Sequence, residues 1–145
     1  MKITILYHRI VICASYLFCV ILGHLRLFKQ CKEHADYLVV AVQNGEYIKK
    51  FKPEANVLYS TEERVEMLEA LRIVDKVIVY DAVGVEALEM IERESGFDIL
   101  ALGEDHIGAR FDEIINWCKD HGKSIVRLKR TPGIASSEIK RELLK

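Results

Sequence analysis

The feature that most constrains the fold is a regular alternation of short apolar runs with segments of helical periodicity. After an N-terminal apolar segment, the runs of strand length are 36–42, 76–80, 98–102 and 124–128. Strands that are apolar on both faces are typical of parallel sheets covered by helices. The helices predicted between them, of about 10 to 14 residues each, are long enough for crossover connections. The sequence therefore predicts an α/β fold, with a parallel sheet of about five strands and helices on both faces.

Apolar stripes at helical spacing predict the crossover helices. The stripes are Leu25/Phe28/Cys31, Val65/Leu68/Leu71, Val85/Leu88/Ile91 and Phe111/Ile114/Ile115/Cys118. Ser60 and Glu63 fit a capping box at the start of the second helix. Gly122 follows the fourth helix, where a left-handed residue is favoured. A final helix is predicted to start at Ser136 or Ser137 and to run through Leu144.

The N-terminal apolar run from Ile10 to Leu22 admits two interpretations. Its length suits the hydrophobic region of a signal peptide, but no small-residue cleavage site follows it. Cleavage there would also remove the first strand of the sheet. A buried strand with an irregular continuation is the favoured interpretation.

Composition narrows the class of protein without naming a function. The 145 residues predict a single domain spanning 1–145, with a core large enough to fold without staples. With 21 basic and 22 acidic residues, the net charge indicates neither nucleic acid nor an anionic membrane as partner. The four cysteines lack zinc-ligand spacing and lie among apolar neighbours, so reduced buried thiols and a cytoplasmic location are expected.

Three segments follow the predicted strands, where open α/β sheets bind ligands. Gly23 and His24 open a helix whose free N–H groups favour an anion, although a surface histidine is the plainer interpretation. Segment 102–106 places two acids and a histidine where they could hold a metal ion or a ribose, or simply be solvated. Segment 129–139 combines a basic pair, a turn and two serines, which suits either phosphate or an ordinary helix cap. Phosphate is the ligand chemistry common to all three.

Two further groups of cations could serve the same site. Three lysines lie on a predicted polar loop from 43 to 56: Lys49, Lys50 and Lys52. They either close over a phosphate or are solvated. Arg64 either reaches the same cleft or pairs with Glu63 or Glu66.

Four sequence elements together resemble a known family. They are GHLRLF (23–28) followed by ADYLVVAV (35–42), ERVEML (63–68) with RIVD (72–75), LGED (102–105), and RTPGIASS (130–137). They are similar to the first helix and second strand, the ERxxxL and RxVD signatures, the GDD segment and the RTxGIST element of the small cytidylyltransferases. The bacterial glycerol-3-phosphate cytidylyltransferases are the most similar branch. Glu104 replaces the first aspartate of GDD, and Ala135 replaces a serine.

The resemblance implies a three-layer, Rossmann-like nucleotidyltransferase that transfers CMP from CTP to a phosphorylated alcohol, most plausibly glycerol 3-phosphate, and releases pyrophosphate. It implies Mg²⁺ as cofactor and a homodimer in the cytoplasm, with neither nucleic acid nor membrane as partner. The implied catalytic residues are His24, Lys52 and Arg130. The implied nucleotide-binding residues are Gly23, Glu104, Asp105, Thr131, Ser136 and Ser137. Arg64 would bind the substrate, and no protein cluster is expected to hold a metal ion.

The segment before Gly23 departs from that family. Ser15, Phe18 and Ile21 stand where the family has the glycine, the aspartate and the first histidine of its GTFDLxHxGH loop. Loss of one transition-state donor costs on the order of a hundredfold in rate. A reading-frame error, a divergent loop or a signal segment would each account for the departure. The functional alternatives are therefore a catalytically impaired nucleotide-binding domain and a related adenylyltransferase.

Overall fold

A computed structural model describes residues 8–14, 22–51, 53, 58–132 and 141–145. Within these residues one sheet has the strand order β3-β2-β1-β4-β5, and all neighbouring pairs are parallel. The strands are β1 (Arg9–Ala14), β2 (Tyr37–Gln43), β3 (Lys76–Tyr80), β4 (Ile99–Gly103) and β5 (Ser124–Leu128). The predicted five-stranded parallel sheet is confirmed.

Helices cover both faces of this sheet. They are α1 (Leu22–His34), α2 (Gly45–Phe51), α3 (Thr61–Glu69), α4 (Gly84–Glu94) and α5 (Ala109–Asp120). Buried residues of α1 and α3 pack on one face, and those of α4 and α5 pack on the other. The result is the predicted three-layer arrangement.

Alternating residues of each strand belong to the two hydrophobic cores, one on each face of the sheet. On β2, Val39 and Ala41 face α4 and α5, whereas Leu38, Val40 and Val42 face the layer of α1 and α3. All five are fully buried, as expected for a central parallel strand.

Buried thiols belong to both cores. Cys118 lies in the α4/α5 layer and Cys31 in the α1/α3 layer. Burial raises the pKa of the Cys31 thiol to about 12 and that of Cys118 to about 11. The expected reduced, buried thiols are found at these two positions, whereas Cys19 lies outside the described residues.

Local signals predicted two helix ends correctly. Ser60 accepts from the backbone N–H of Glu63, and the Glu63 side chain accepts from that of Ser60, forming the expected capping box. Gly122 follows α5 with a φ of 69°, the left-handed conformation that glycine adopts without strain.

The prediction of one polar loop from 43 to 56 is wrong in part, because α2 occupies residues 45–51. Asn44 starts this helix: its side chain accepts from Glu46 N–H, and its carbonyl accepts from Ile48 N–H. Ile48 is 3% exposed and anchors the helix in the protein. A single buried residue is too weak a periodic signal to reveal so short a helix.

The apolar N-terminal segment contributes the central strand. Residues 9–14 form β1, between β2 and β4, so the expected buried strand is confirmed there. Residues 15–21 lie outside the described part. No helix among the described residues is long and apolar enough to cross a membrane. Residues 141–143 are helical, and the predicted helix start at Ser136 or Ser137 is outside the described residues.

Two aspartates accept hydrogen bonds from the backbone at the amino edge of the sheet. Asp75, before β3, accepts from the backbone N–H of Leu38 on β2 at 2.8 Å. Asp98, before β4, accepts from the N–H of Arg9 on β1 at 2.8 Å. Each carboxylate thus satisfies a backbone donor near the start of a neighbouring strand.

Candidate functional site

The topology places a crevice at the carboxyl edge of the sheet. From β1 the chain proceeds to β2 and β3 on one side, and later to β4 and β5 on the other. The switch point lies between β1 and β4, where open α/β sheets bind ligands. The start of α1, the turn after β4 and the first residues after β5, 129–132, lie at this edge. The described parts of the three segments chosen from sequence are therefore on the same edge, and residues 133–139 of the third lie outside the described residues.

His24 lies in the first turn of α1 beside Gly23, and both residues are half-buried. Burial lowers the pKa of His24 below its usual 6.5, and the positive charge of Arg130 lowers it further. Since the charge of Arg130 is felt there, the two side chains share one electrostatic environment. His24 is therefore neutral near pH 7 and can donate one N–H at a helix N-terminus.

Arg130 follows β5 and pairs with an acid from the turn after β4. Its Nη1 donates to Oδ2 of Asp105 at 2.8 Å, and the two side chains are 56% and 55% exposed. Glu104 beside it is exposed, and Thr131 is half-buried. The structure thus places the predicted catalytic residue Arg130 and three predicted nucleotide-binding residues directly after two adjacent strands: Glu104, Asp105 and Thr131.

The turn after β4 is held by His106, which the sequence interpretation included in segment 102–106, and by Arg127, which it did not select. His106 Nδ1 accepts from Gly103 N–H at 3.0 Å, and its ring stacks on Phe111 with centroids 4.9 Å apart. Arg127, on β5, donates from Nη1 to the carbonyls of Gly103 and His106 at 3.1 and 2.6 Å. These bonds fix the position of Asp105 between its neighbours. Only tertiary pairing reveals Arg127, whereas His106 was visible within the polar segment 102–106.

Gly103 leaves room for the side chain of Asp105 in this turn. A Cβ added there would lie 2.9 Å from Oδ1 of Asp105, closer than real Cβ contacts allow. The glycine therefore permits the carboxylate that pairs with Arg130 to fold back over the strand end.

Arg64 lies in α3, at the carboxyl ends of β2 and β3, and is fully buried. Its Nη2 donates to Thr61 Oγ1 at 3.2 Å, and that hydroxyl also accepts from Gly45 N–H at 2.9 Å. Among the described residues, Nε and Nη1 have no hydrogen-bond partner. Burial lowers the pKa of Arg64, against the opposing effects of Glu62 and Tyr80.

The alternative that Arg64 pairs with Glu63 or Glu66 is not found within the described residues. Glu63 is used by the capping box instead. A buried guanidinium with two donors to spare is an arrangement that an anion would complete.

Several predicted residues cannot be placed. Lys52, Ser136 and Ser137 lie outside the described residues. Lys49 and Lys50 are exposed in the last turn of α2.

The donor set at this edge bears on a magnesium ion. Within the described ranges, no group of three or more His, Cys, Asp or Glu side chains is arranged to hold a metal. Mg²⁺ commonly takes one or two carboxylates and completes its shell with substrate phosphates and water. Glu104 and Asp105, both exposed, fit that mode of binding and not a closed protein cage.

Comparison with known proteins agrees with the fold, that of a nucleotidyltransferase-type α/β protein. The family model described as cytidylyltransferase-like matches residues 20–142. The chain belongs to the cytidylyltransferase-like family.

Curated relatives give the same family in more detail. The chain is 31% identical over 121 residues to the glycerol-3-phosphate cytidylyltransferase of Bacillus subtilis (strain 168), covering 83% of this chain and 86% of that protein. It is 33% identical over 121 residues to the protein of that name from Staphylococcus aureus (strain NCTC 8325 / PS 47), covering 83% and 84%. It is 39% identical over 85 residues to an FAD synthase of Pyrococcus abyssi, covering 57% of this chain and 54% of that protein.

A solved structure supports the fold alone. The lipopolysaccharide core biosynthesis protein from Thermoplasma volcanium GSS1 superposes with a TM-score of 0.65 at 19% identity, covering 86% of this chain and 97% of that one. The predicted Rossmann-like, nucleotidyltransferase-type fold is thereby confirmed.

Proposed function

We propose that this protein is a cytidylyltransferase that transfers CMP from CTP to glycerol 3-phosphate and releases pyrophosphate. The observation that carries the proposal is that two cation sites lie at the same, carboxyl edge of the sheet. Arg130 lies by the helix N-terminus of His24, and two donor atoms of the buried Arg64 have no partner among the described residues. One site suits a nucleoside triphosphate, and the other suits the phosphate of an acceptor. The two relatives named glycerol-3-phosphate cytidylyltransferase support the choice of substrates.

The reaction needs charge stabilisation and little covalent chemistry. An oxygen of the acceptor phosphate attacks the α-phosphorus of CTP, a P–O bond forms, and the bond to the β-phosphate breaks as pyrophosphate leaves. Neutral His24 donates its N–H to the transferring phosphate at the N-terminus of α1. Arg130 exchanges Asp105 for the triphosphate, and Arg64 holds the acceptor phosphate. Lys52 adds a further positive charge on the phosphates, and Thr131, Ser136 and Ser137 donate to the triphosphate.

Mg²⁺ belongs to this proposal as a companion of the triphosphate. It would be held by phosphate oxygens together with Glu104 or Asp105, and it would neutralise charge on the leaving pyrophosphate. The proposal also includes a homodimer and a cytoplasmic location, and both rest on family resemblance. The molecular mass in solution tests the homodimer.

Ile21 motivates a modified form of the proposal. It stands where the family has a histidine, so a low rate is expected of the chain as written. A domain that binds CTP without turnover is the limiting case. An adenylyltransferase is the second candidate, because one relative is an FAD synthase and FAD contains an adenylyl group.

The test is pyrophosphate release by the purified chain with Mg²⁺ and glycerol 3-phosphate, phosphoethanolamine, phosphocholine or no acceptor. CTP and ATP are supplied in parallel reactions. Turnover that needs both CTP and glycerol 3-phosphate supports the proposal. Turnover only with ATP would replace it with the adenylyl alternative, and CTP binding without turnover would identify an impaired domain.

A further inference from the structure

The side-chain amide of Gln30 both donates to and accepts from the backbone of the residue before Arg130. It lies on α1, and its Nε2 donates to the carbonyl of Lys129 at 2.8 Å. Its Oε1 accepts from the backbone N–H of the same residue at 2.9 Å. One side-chain amide thus satisfies both backbone groups of one residue, as a neighbouring strand would do in a sheet.

This contact holds the chain at the point where β5 ends. Leu128, the last residue of β5, is 1% exposed, whereas Lys129 and Arg130 are exposed. In the described part of the chain, the Lys129 backbone is hydrogen-bonded to Gln30, and the Arg130 side chain forms an ion pair with Asp105. The amide of Gln30 is therefore the backbone restraint on the residue directly before Arg130.

The restraint comes from the helix that also carries His24. Gln30 lies six positions after His24, a rise of about 9 Å along α1. Both side chains act on the segment after β5, since the charge of Arg130 lowers the pKa of His24 after the larger effect of burial. One rigid helix thus sets the spacing between the proposed histidine donor and the proposed arginine.

We infer that Gln30 is a positioning residue for Arg130, whose guanidinium it holds beside His24 for phosphate binding. The inference rests on the proposed function, because it assigns Arg130 to the phosphates of the nucleotide. Gln30 touches no reacting atom in this account, and its effect is exerted through the backbone of Lys129.

The test uses Gln30→Met, which keeps the length and helix propensity of the side chain and removes both hydrogen bonds. Lys29→Met, on the exposed neighbouring position of α1, is the matched control. Gln30→Glu keeps the acceptor for Lys129 N–H and loses the donor. Each variant is measured for thermal unfolding, pyrophosphate affinity by calorimetry, and kcat/KM for CTP, alone and combined with Arg130→Met.

We expect Gln30→Met to lower pyrophosphate affinity and kcat/KM on the order of tenfold, as a misplaced binding group does. Gln30→Glu is expected to lose less, and Lys29→Met to match the unmodified chain. The decisive result is coupling: once Arg130 is methionine, Gln30→Met should have no further effect on either quantity. A purely structural role for Gln30 would lower the unfolding temperature and would leave its effects on affinity and on kcat/KM independent of Arg130.

The outcomes separate this inference from the proposed function. Full additivity with Arg130→Met, or equal effects of Gln30→Met and Lys29→Met, overturns the inference even if the chain is an active cytidylyltransferase. If the chain turns over no nucleotide but binds pyrophosphate in a manner coupled to Gln30, the proposed function fails and the inference stands. If the unmodified chain binds no pyrophosphate, both are overturned.

Discussion

Arg130 donates from Nη1 to Oδ2 of Asp105 at 2.8 Å, joining the segments that follow two adjacent strands, β5 and β4. The pair is more than half exposed, so it contributes little to stability, less than about 1 kcal/mol. In the proposed function its role is to hold a guanidinium at the carboxyl edge of the sheet, where a phosphate would bind.

Arg130→Met should therefore separate activity from stability. We expect kcat/KM for CTP to fall on the order of a hundredfold, with an almost unchanged unfolding temperature. Arg93→Met, exposed in the last turn of α4 toward the opposite edge of the sheet, is the matched control. Steady-state kinetics and thermal unfolding of both variants make the test, and equal activity of the two would remove Arg130 from the site.

Arg64→Met should not lower the free energy of unfolding, unlike most substitutions of buried residues. The buried Nε and Nη1 of Arg64 lack partners among the described residues, and such donors cost on the order of 1–3 kcal/mol each. We expect the free energy of unfolding to stay the same or rise, while KM for glycerol 3-phosphate rises about tenfold or more.

Ligand-induced stabilisation gives an independent measure of Arg64. Glycerol 3-phosphate should raise the unfolding temperature of the unmodified chain and not that of Arg64→Met. If Arg64→Met unfolds much more easily and still gains stability from the ligand, the guanidinium is a structural group and not an acceptor site.

Stability should decrease as the pH falls below about 6.5, because two histidines are held neutral. Burial is the main cause of the lowered pKa of both His24 and His106, relative to 6.5. At His106, Asp105 opposes the shift, whereas Arg127 and Arg130 add to it. Since the unfolded chain takes up these protons at a higher pH, stability present above 6.5 is lost as the pH falls through the folded pKa values.

Urea unfolding between pH 8 and pH 5 measures this loss. His106→Gln should flatten the dependence of stability on pH. An equal slope in His106→Gln and the unmodified chain would show that His106 does not contribute.

Asp75 tests the amino edge of the sheet, away from the proposed chemistry. Asp75→Ala leaves the N–H of Leu38 without its acceptor, and we expect a loss of about 2 kcal/mol in the free energy of unfolding. Lys32→Met removes the partner that pairs with Asp75 at the surface and should cost less than about 1 kcal/mol. Denaturant unfolding measures both, and kcat of the folded proteins should be unchanged.

Ile21→His tests whether the altered loop limits the rate. The substitution restores the histidine spacing that the family resemblance implies, and we expect kcat to rise on the order of a hundredfold. Ile21→Gln, which adds a donor of different shape, is the control. No gain with histidine would mean that other residues of the segment, such as Phe18, also prevent catalysis.

The fold could be predicted from local patterns because each rests on chemistry within a few residues. The runs 76–80 and 124–128 became strands with the predicted bounds, and the Ser60–Glu63 capping box formed as expected. In contrast, α2 was missed because its stability depends on burying Ile48 in the tertiary structure.

The sequence by itself determined the parallel α/β sheet, the polar segments at its carboxyl edge and the candidates His24, Asp105 and Arg130. Strand order could not be read from it, because parallel strands pair across crossovers whose direction has no local signal. Only the tertiary structure decided that Asp105 meets Arg130 and that Gln30 holds Lys129. It also decided that Arg64 is buried, with two donor atoms that lack partners among the described residues. These are contacts between elements distant in sequence or effects of burial, and both arise only when the layers pack.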